Sequence, residues 1–259
     1  MSGDRLRVTV LGSGTSHGVP MIGCRCAVCR SEDPRDNRLR PSIYVETGGG
    51  EALVVDTGPD FRAQVLRHGV GRVDAVLFTH PHADHVLGLD ETRRFNTMQG
   101  GVIPCFGDPA TILEVRRIFA YAFEPRQAGG GVPQLDLRPV TGPFTAAGAA
   151  VVPIPVMHGD LPIYGYRIGD FAYLTDCSAV PDRSWPLLDG VRTLVVDALR
   201  HRPHPTHFTV ATAIETARRL GCERTLLTHI CHDLGHAETA AALPPGVELA
   251  YDGLVVDVA

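Results

Sequence analysis

The sequence contains no lysine: all 24 basic residues among its 259 are arginine. This excludes a P-loop lysine on a phosphate, a Schiff-base lysine and a Ser-x-x-Lys nucleophile. A codon preference for arginine, alanine and glycine accounts for the absence, and the exclusion holds whatever its origin. No apolar run approaches the roughly 18–20 residues of a membrane span. Met1–Val8 carries charge and lacks the apolar stretch of a signal peptide. Repeats, low-complexity tracts and blocks of like charge are also missing. With 29 acidic residues against 24 arginines the formal charge is −5, which argues against a surface built for long nucleic acid, although a local arginine patch stays open.

Histidine and cysteine are plentiful instead, at 12 and 7. The cysteine count is odd and three fall within six residues, which suits reduced thiols and metal in the cytosol better than a disulfide framework. A chain with 44% hydrophobic and 20% charged residues can bury a large core. A single domain over residues 1–259, cytoplasmic and without a membrane partner, is the expectation.

Short apolar runs ending in turn residues read as strands: Leu6–Leu11, Ser42–Glu46, Ala52–Asp56, Ala75–Thr79, Ile103–Phe106, Ala150–Val156, Tyr164–Ile168, Phe171–Thr175, Thr193–Asp197, Thr225–Thr228, Glu248–Tyr251 and Leu254–Val258. Asp60–His68, Pro109–Tyr121, Thr209–Leu220 and Glu238–Leu243 read as helices. The fold class is α/β (α+β), with two sheets rather than one doubly wound sheet. Glu124–Pro133, with three consecutive glycines and two prolines, reads as a mobile surface loop within the domain.

The strongest signal is Thr79-His80-Pro81-His82-Ala83-Asp84-His85. Four potential metal ligands in six residues follow an apolar strand, which outweighs a reading as a polar surface loop. Neutral imidazole and carboxylate suit Zn, Mn or Fe. Asp56, His158, Asp176 and His229 each stand where an apolar run stops; singly, each is an ordinary turn residue. Cys24-Arg25-Cys26-Ala27-Val28-Cys29 is a second cluster that suits a soft metal but needs a fourth ligand, with His17, Cys231, His232 and His236 as candidates. Cys105, Cys177 and Cys222 read as core residues. Gly12-Ser-Gly-Thr-Ser-His-Gly18 lacks a following lysine and runs into Pro20, so it is not a nucleotide loop; it reads as a glycine-rich loop near the site.

The H-x-H-x-D-H motif, taken with the strand-end residues in order, resembles the metallo-β-lactamase fold, a four-layer αβ/βα sandwich. That resemblance implies one metal on His80, His82 and His158, a second on Asp84, His85 and His229, Asp176 bridging, and Asp56 orienting a ligand. The attacking group would be a metal-bound hydroxide. Within that fold, the C-x-C-x2-C cluster, the late Thr228-His-x-x-His232, the opening Leu11-Gly-Ser-Gly-Thr-Ser16 and the ending Tyr251-Asp-Gly-Leu254 resemble the PhnP-type phosphodiesterases, accessory enzymes of carbon–phosphorus lyase pathways. This second likeness implies a structural zinc on Cys24, Cys26, Cys29 and His232. It places Asp84 and His207 closest to the chemistry, His207 contacting phosphate or protonating the leaving group, with His17 near the substrate. Thr206 reads as a helix cap, and His201 and His204 as residues of a solvated loop. No motif covers Phe106–Ala149.

The implied cofactors are two divalent ions (Mn or Zn, Fe allowed) and one structural Zn. The implied partner is a small cyclic or nucleotide-like phosphate diester; a homodimer is allowed. A ribonuclease Z-like endonuclease fits the metal motif but not the negative charge or the missing basic insertion. A lactonase or thioesterase, and a non-catalytic carrier or binding module on the same fold, are the other readings.

Overall fold

A computed structural model describes residues 5–124 and 131–258. Residues 125–130 of the expected loop at 124–133 therefore lie outside the described residues. The first sheet is built from β1 (Leu6–Gly12), β2 (Ser42–Thr47), β3 (Ala52–Val55), β4 (Ala75–Leu77), β5 (Ile103–Gly107) and β6 (Leu135–Pro139). The second is built from β7 (Phe144–Ala146), β8 (Ala149–His158), β9 (Leu161–Ile168), β10 (Phe171–Leu174), β11 (Thr193–Asp197), β12 (Arg224–Thr228) and β13 (Val247–Leu249). The last strand, β14 (Val255–Val258), returns to the first sheet beside β1, giving seven strands in each.

Side-chain alternation makes this a layered structure. Along β3, Leu53 and Val55 enter a core shared with Val195 and Leu226 of the second sheet, so the two sheets pack face to face. Ala52 and Val54 point the other way, into a core with Phe61, Ile112 and Val115. These belong to α1 (Phe61–His68) and to a later helix, Pro109–Ile118. On the far side, Leu194, Val196 and Leu227 pack against Val210, Ala213 and Ala217 of the helix Val210–Leu220. Strands covered on both faces read as continuous apolar runs, and that is how these run. The result is the four-layer αβ/βα sandwich.

Between α1 and that outer helix come α2 (Ala83–Val86) and α3 (Arg93–Gln99); α4 is Pro109–Ile118, α5 Ala120–Phe123, α6 Val210–Leu220 and α7 His236–Ala242. The expected helix over Pro109–Tyr121 is thus divided, because Phe119 leaves helical geometry. α7 begins two residues before the expected start. Thr209, not Thr206, caps α6: its Oγ1 accepts from Thr212 N at 3.1 Å, since the first helical residue is Val210. α3, β6 and β7 were not expected. Only Phe95 and Asn96 of α3 are buried, and β6 is a short edge strand that alternates half-buried Leu135 and Leu137 with exposed Asp136 and Arg138, so neither makes an apolar run.

β3, β4, β5 and β6 are mutually parallel, as are β10, β11, β12 and β13. Such sheets gather ligand-binding groups beyond the carboxyl ends of their strands. Among the described residues, no helix is long and apolar enough to cross a membrane.

Candidate metal centres

Five strands deliver their last residues to one edge. β3 leads to Asp56, β4 leads to Thr79 and His80, β8 ends in His158, β10 leads to Asp176, and β12 leads to His229. Asp56, Asp176 and His229 all have left-handed backbones, at φ 65°, 54° and 58°. For residues with a Cβ this is a strained conformation, of a kind that clusters at functional sites. Close packing fixes the turn that carries Asp84 and His85: Thr57 N donates to His85 O at 2.7 Å, and a Cβ on Gly58 would stand 2.1 Å from Asp84 O. Any other residue at 58 would push that turn away.

The expected ligands come together in two adjoining groups. In the first, His80 Nε2 lies 2.9 Å from His82 Nδ1, with His158 beside both. In the second, Asp84, His85, Asp176 and His229 converge. Asp176 Oδ2 lies 3.2 Å from His85 Nε2 and its Oδ1 lies 3.2 Å from His229 Nε2. Asp176 also shares a donor cluster with His158 and His207, so it stands between the groups. His85 Nδ1 donates to Asp56 Oδ2 at 2.7 Å, and Thr79 N and Oγ1 donate to the same carboxylate at 2.8 Å. The Asp56 contact turns His85 Nε2 toward Asp176.

The donors suit divalent cations. His85 Nε2 and both ring nitrogens of His229 are buried without a hydrogen-bond partner, which is costly unless an ion takes them. Separations of 3.2 Å match the roughly 3.3 Å edge expected between N and O ligands about 2.0–2.1 Å from one ion. Three carboxylates crowd His85: burial would lower its pKa, but Asp176, Asp56 and Asp84 raise it well above the usual imidazole range, a surplus of negative charge that a cation at the site would neutralise in place of a proton. His80, buried with His85 beside it, is held well below that range and kept as the neutral, ligating form. Burial would raise Asp176, and His229 and His85 hold it far down as a carboxylate.

The second cluster lies on loops. Cys24, Cys26 and Cys29 place their Sγ atoms 3.2, 3.5 and 3.5 Å from His232 Nδ1, close to the roughly 3.5 Å edge of a tetrahedral zinc site with three sulfur ligands and one nitrogen. The N–H of Cys29 donates to Cys26 Sγ and holds that thiol down to about 6, while burial pushes Cys29 up to about 11. Of the other candidates, Cys231 and His236 are not in the cluster, and His17 is exposed. Fully buried Arg38 ties the two loops together. It pairs with Asp36 at 2.8 Å and donates to Cys231 O and Leu234 O at 3.0 and 2.7 Å.

His207 lies over the edge cluster. Its ring stacks on His229 at 4.6 Å and meets His158 edge-on at 4.8 Å. His207 Nδ1 donates to Asp197 Oδ2 at 2.8 Å, and Asp197 is completely buried at the end of β11. Burial pushes Asp197 up and His207 down. Asp197 was missed as a site residue, although Val195-Val-Asp197 repeats the Val54-Val-Asp56 pattern. Thr206 uses its carbonyl, not a helix cap, to accept from His158 Nδ1 at 2.9 Å. His17 lines a cavity of about 280 Å³ with His204, His207 and His232.

The profile of the beta-lactamase superfamily domain matches residues 52–230. The crystal structure of a diphosphatase from the PhnP family superposes at a TM-score of 0.91 with 45% identity, covering 98% of each chain. The octanoyltransferase of Porphyromonas gingivalis is 40% identical over 253 residues, which are 96% of this chain and 51% of the relative; the chain thus spans about half the length of that protein. Zn(2+)-bound PqqB of Methylobacterium extorquens shares the fold, at a TM-score of 0.75 and 20% identity over 97% of this chain and 100% of PqqB. The chain therefore belongs to the beta-lactamase superfamily of hydrolases and, within it, to the PhnP family.

Proposed function

We propose that this is a metal-dependent phosphodiesterase of the cytoplasm, working as one domain over residues 1–259 on a small cyclic or nucleotide-like phosphate diester. The observation that carries the reading is the convergence of seven imidazole and carboxylate side chains beneath His207, whose Nδ1 is committed to Asp197. In this reading His80, His82 and His158 hold one divalent cation, Asp84, His85 and His229 hold a second, and Asp176 serves both. Mn and Zn suit these ligands, and Fe is compatible. Cys24, Cys26, Cys29 and His232 hold a structural zinc. Cations bound at the edge supply an acidified water and neutralise phosphoryl oxygens.

The rest falls to the chain's own side chains. Asp56 keeps His85 in one tautomer and one orientation. Asp197 does the same for His207, so that Nε2 takes up a proton from solvent and the resulting imidazolium gives it to the departing alkoxide. His17 meets the substrate at the cavity. The 45% identity to a diphosphatase favours phosphoryl chemistry over lactone or thioester hydrolysis and brings diphosphates into the substrate range. A net charge of −5 disfavours a tRNA substrate. The test is a panel of cyclic phosphates, dinucleotides, bis-p-nitrophenyl phosphate, tRNA precursors and lactones against metal-analysed protein. Turnover of the small phosphate esters is expected. Lactone or tRNA turnover without them would overturn the reading, and full metal occupancy without any hydrolysis would favour a binding module.

A further inference from the structure

Thr79 stands between the two edge groups, and one hydroxyl proton serves several neighbours there. The residue follows β4 and is completely buried. Its Oγ1 lies 2.8 Å from Asp56 Oδ2, 3.0 Å from His80 Nδ1 and 3.4 Å from His85 Nδ1. Asp56 Oδ2 in turn lies 2.7 Å from His85 Nδ1. The backbone is held from both sheets: Thr79 N donates to Asp56 Oδ1 at 2.8 Å, and Thr79 O accepts from Tyr164 N of β9 at 3.0 Å.

A hydroxyl has one hydrogen to give and two lone pairs to receive with, whereas a carboxylate only accepts. The Thr79 hydrogen therefore goes to Asp56 Oδ2, and the contact with His80 is closed by a hydrogen on His80 Nδ1. The opposite direction, Thr79 donating to His80, would leave two bare oxygen acceptors 2.8 Å apart in the interior. His80 Nε2 is thus a lone pair, and it is the atom that lies 2.9 Å from His82 Nδ1 in the first group. His85 gives its Nδ1 hydrogen to the same Asp56 oxygen, which frees its Nε2 lone pair for the second group. One chain of hydrogen bonds, from His80 through Thr79 and Asp56 to His85, joins a donor of one group to a donor of the other.

We propose that Thr79 is a positioning residue for both edge cations, its hydroxyl fixing the tautomer and ring orientation of His80 directly and of His85 through Asp56. The inference rests on the reading that the two edge groups hold divalent cations. Asp56 alone would serve one ion; the hydroxyl links the two. Among the described residues His80 Nδ1 has no other partner, whereas His85 keeps Asp56, so the ion on His80 depends more on the hydroxyl.

The test is calorimetric titration with Mn2+ of protein stripped of its edge metals but retaining zinc on the thiol cluster. Wild type is expected to bind two ions. Thr79→Val keeps nearly the same shape and removes the hydroxyl. It should raise the Kd of one ion about 10- to 100-fold and that of the other about 5- to 10-fold. Thr79→Ser keeps the hydroxyl and should bring both back to within about threefold of wild type. Thr79→Ala serves if urea unfolding shows that the valine variant does not fold. Two Kd values within about threefold of wild type in Thr79→Val overturn the proposal, as does weakening at one site alone. A serine variant that binds as poorly as the valine variant also overturns it, because shape and not the hydroxyl would then be the cause. Wild type that takes up no edge ion overturns the metal reading and the proposal together; two tight sites in wild type that Thr79→Val leaves unchanged overturn the proposal alone.

Discussion

The two donor clusters share one short segment, with His229 in one and His232 in the other, yet they are built on opposite principles. The edge cluster draws residues from 80 to 229 onto strand ends and leaves Asp176 and His229, with the supporting Asp56, in left-handed backbone. Each such residue costs on the order of 1–3 kcal/mol and persists only where the surrounding structure imposes it. The thiol cluster takes three ligands from one loop and a fourth from another, with no left-handed non-glycine residue. Four donors that enclose an ion build structure, whereas seven donors open toward a free imidazole suit chemistry. Strain is therefore concentrated where the chemistry is expected.

The largest effect that would sharpen this contrast is expected from Asp176→Ala. Removing the carboxylate common to both edge groups should lower kcat on the order of 10³-fold or more and reduce the metal count, while zinc on the thiol cluster stays. Mass spectrometric metal analysis beside kinetics checks it; loss of all metals together would show that the clusters are not independent. His207→Ala should lower kcat about 10²- to 10⁴-fold with metal content intact, as for removal of a general acid. Loss of metal there would make His207 a ligand instead.

Cys29→Ser addresses the other cluster. It should release the structural zinc and lower stability by about 3–5 kcal/mol in urea unfolding, while folded enzyme keeps kcat within about tenfold. A folded Cys29→Ser protein with both edge metals and no turnover would break the division between structure and chemistry.

A smaller effect is expected at Asp252, which joins the two regions. It accepts from Ser13 N, Ser13 Oγ and Leu39 N at 2.8–2.9 Å, and Ser13 O in turn accepts from Ile230 N between the two histidines. Burial lifts Asp252 to about 6, against the hydrogen bonds that hold it down. Because the folded value lies above the unfolded one of about 3.9, its contribution is full below pH 4 and is lost as pH rises through 6. The stability of wild type relative to Asp252→Asn should therefore fall by about 3 kcal/mol across that window and then level off. A difference that stays flat with pH would show that Asp252 titrates normally.

Much of this was legible because strand-end ligands leave a local trace: an apolar run, then one polar residue. His80–His85, His158, Asp176 and His229 all announce themselves that way, and the layers follow from the two-sided burial of the same runs. What was not legible lacked that trace. α3 and β6 bury too little to make a run. The Thr206 carbonyl on His158 and the Arg38 clamp are contacts between distant loops, which no spacing encodes. His204 read as part of a solvated loop because its proximity to His207 depends on how residues 200–209 fold back.

Asp197 had the trace and was still passed over, and it gives the smallest and most discriminating test. Its place at the end of β11 matches that of Asp56 at the end of β3, and each carboxylate lies within 2.8 Å of one histidine Nδ1. Yet Asp197 also forms a donor cluster with His207 and His229, so geometry alone allows it to ligate. Asp197→Asn separates the two roles. As an orienting group, the asparagine can still accept from Nδ1 through its carbonyl, but it brings no charge to stabilise the imidazolium that gives up the proton. A loss of about 10- to 100-fold in kcat is then expected, with metal content unchanged. As a ligand, Asp197 would take metal with it when replaced. Retained metal with reduced kcat would extend the comparison: Asp56 serves a histidine that holds an ion, and Asp197 serves one that moves a proton.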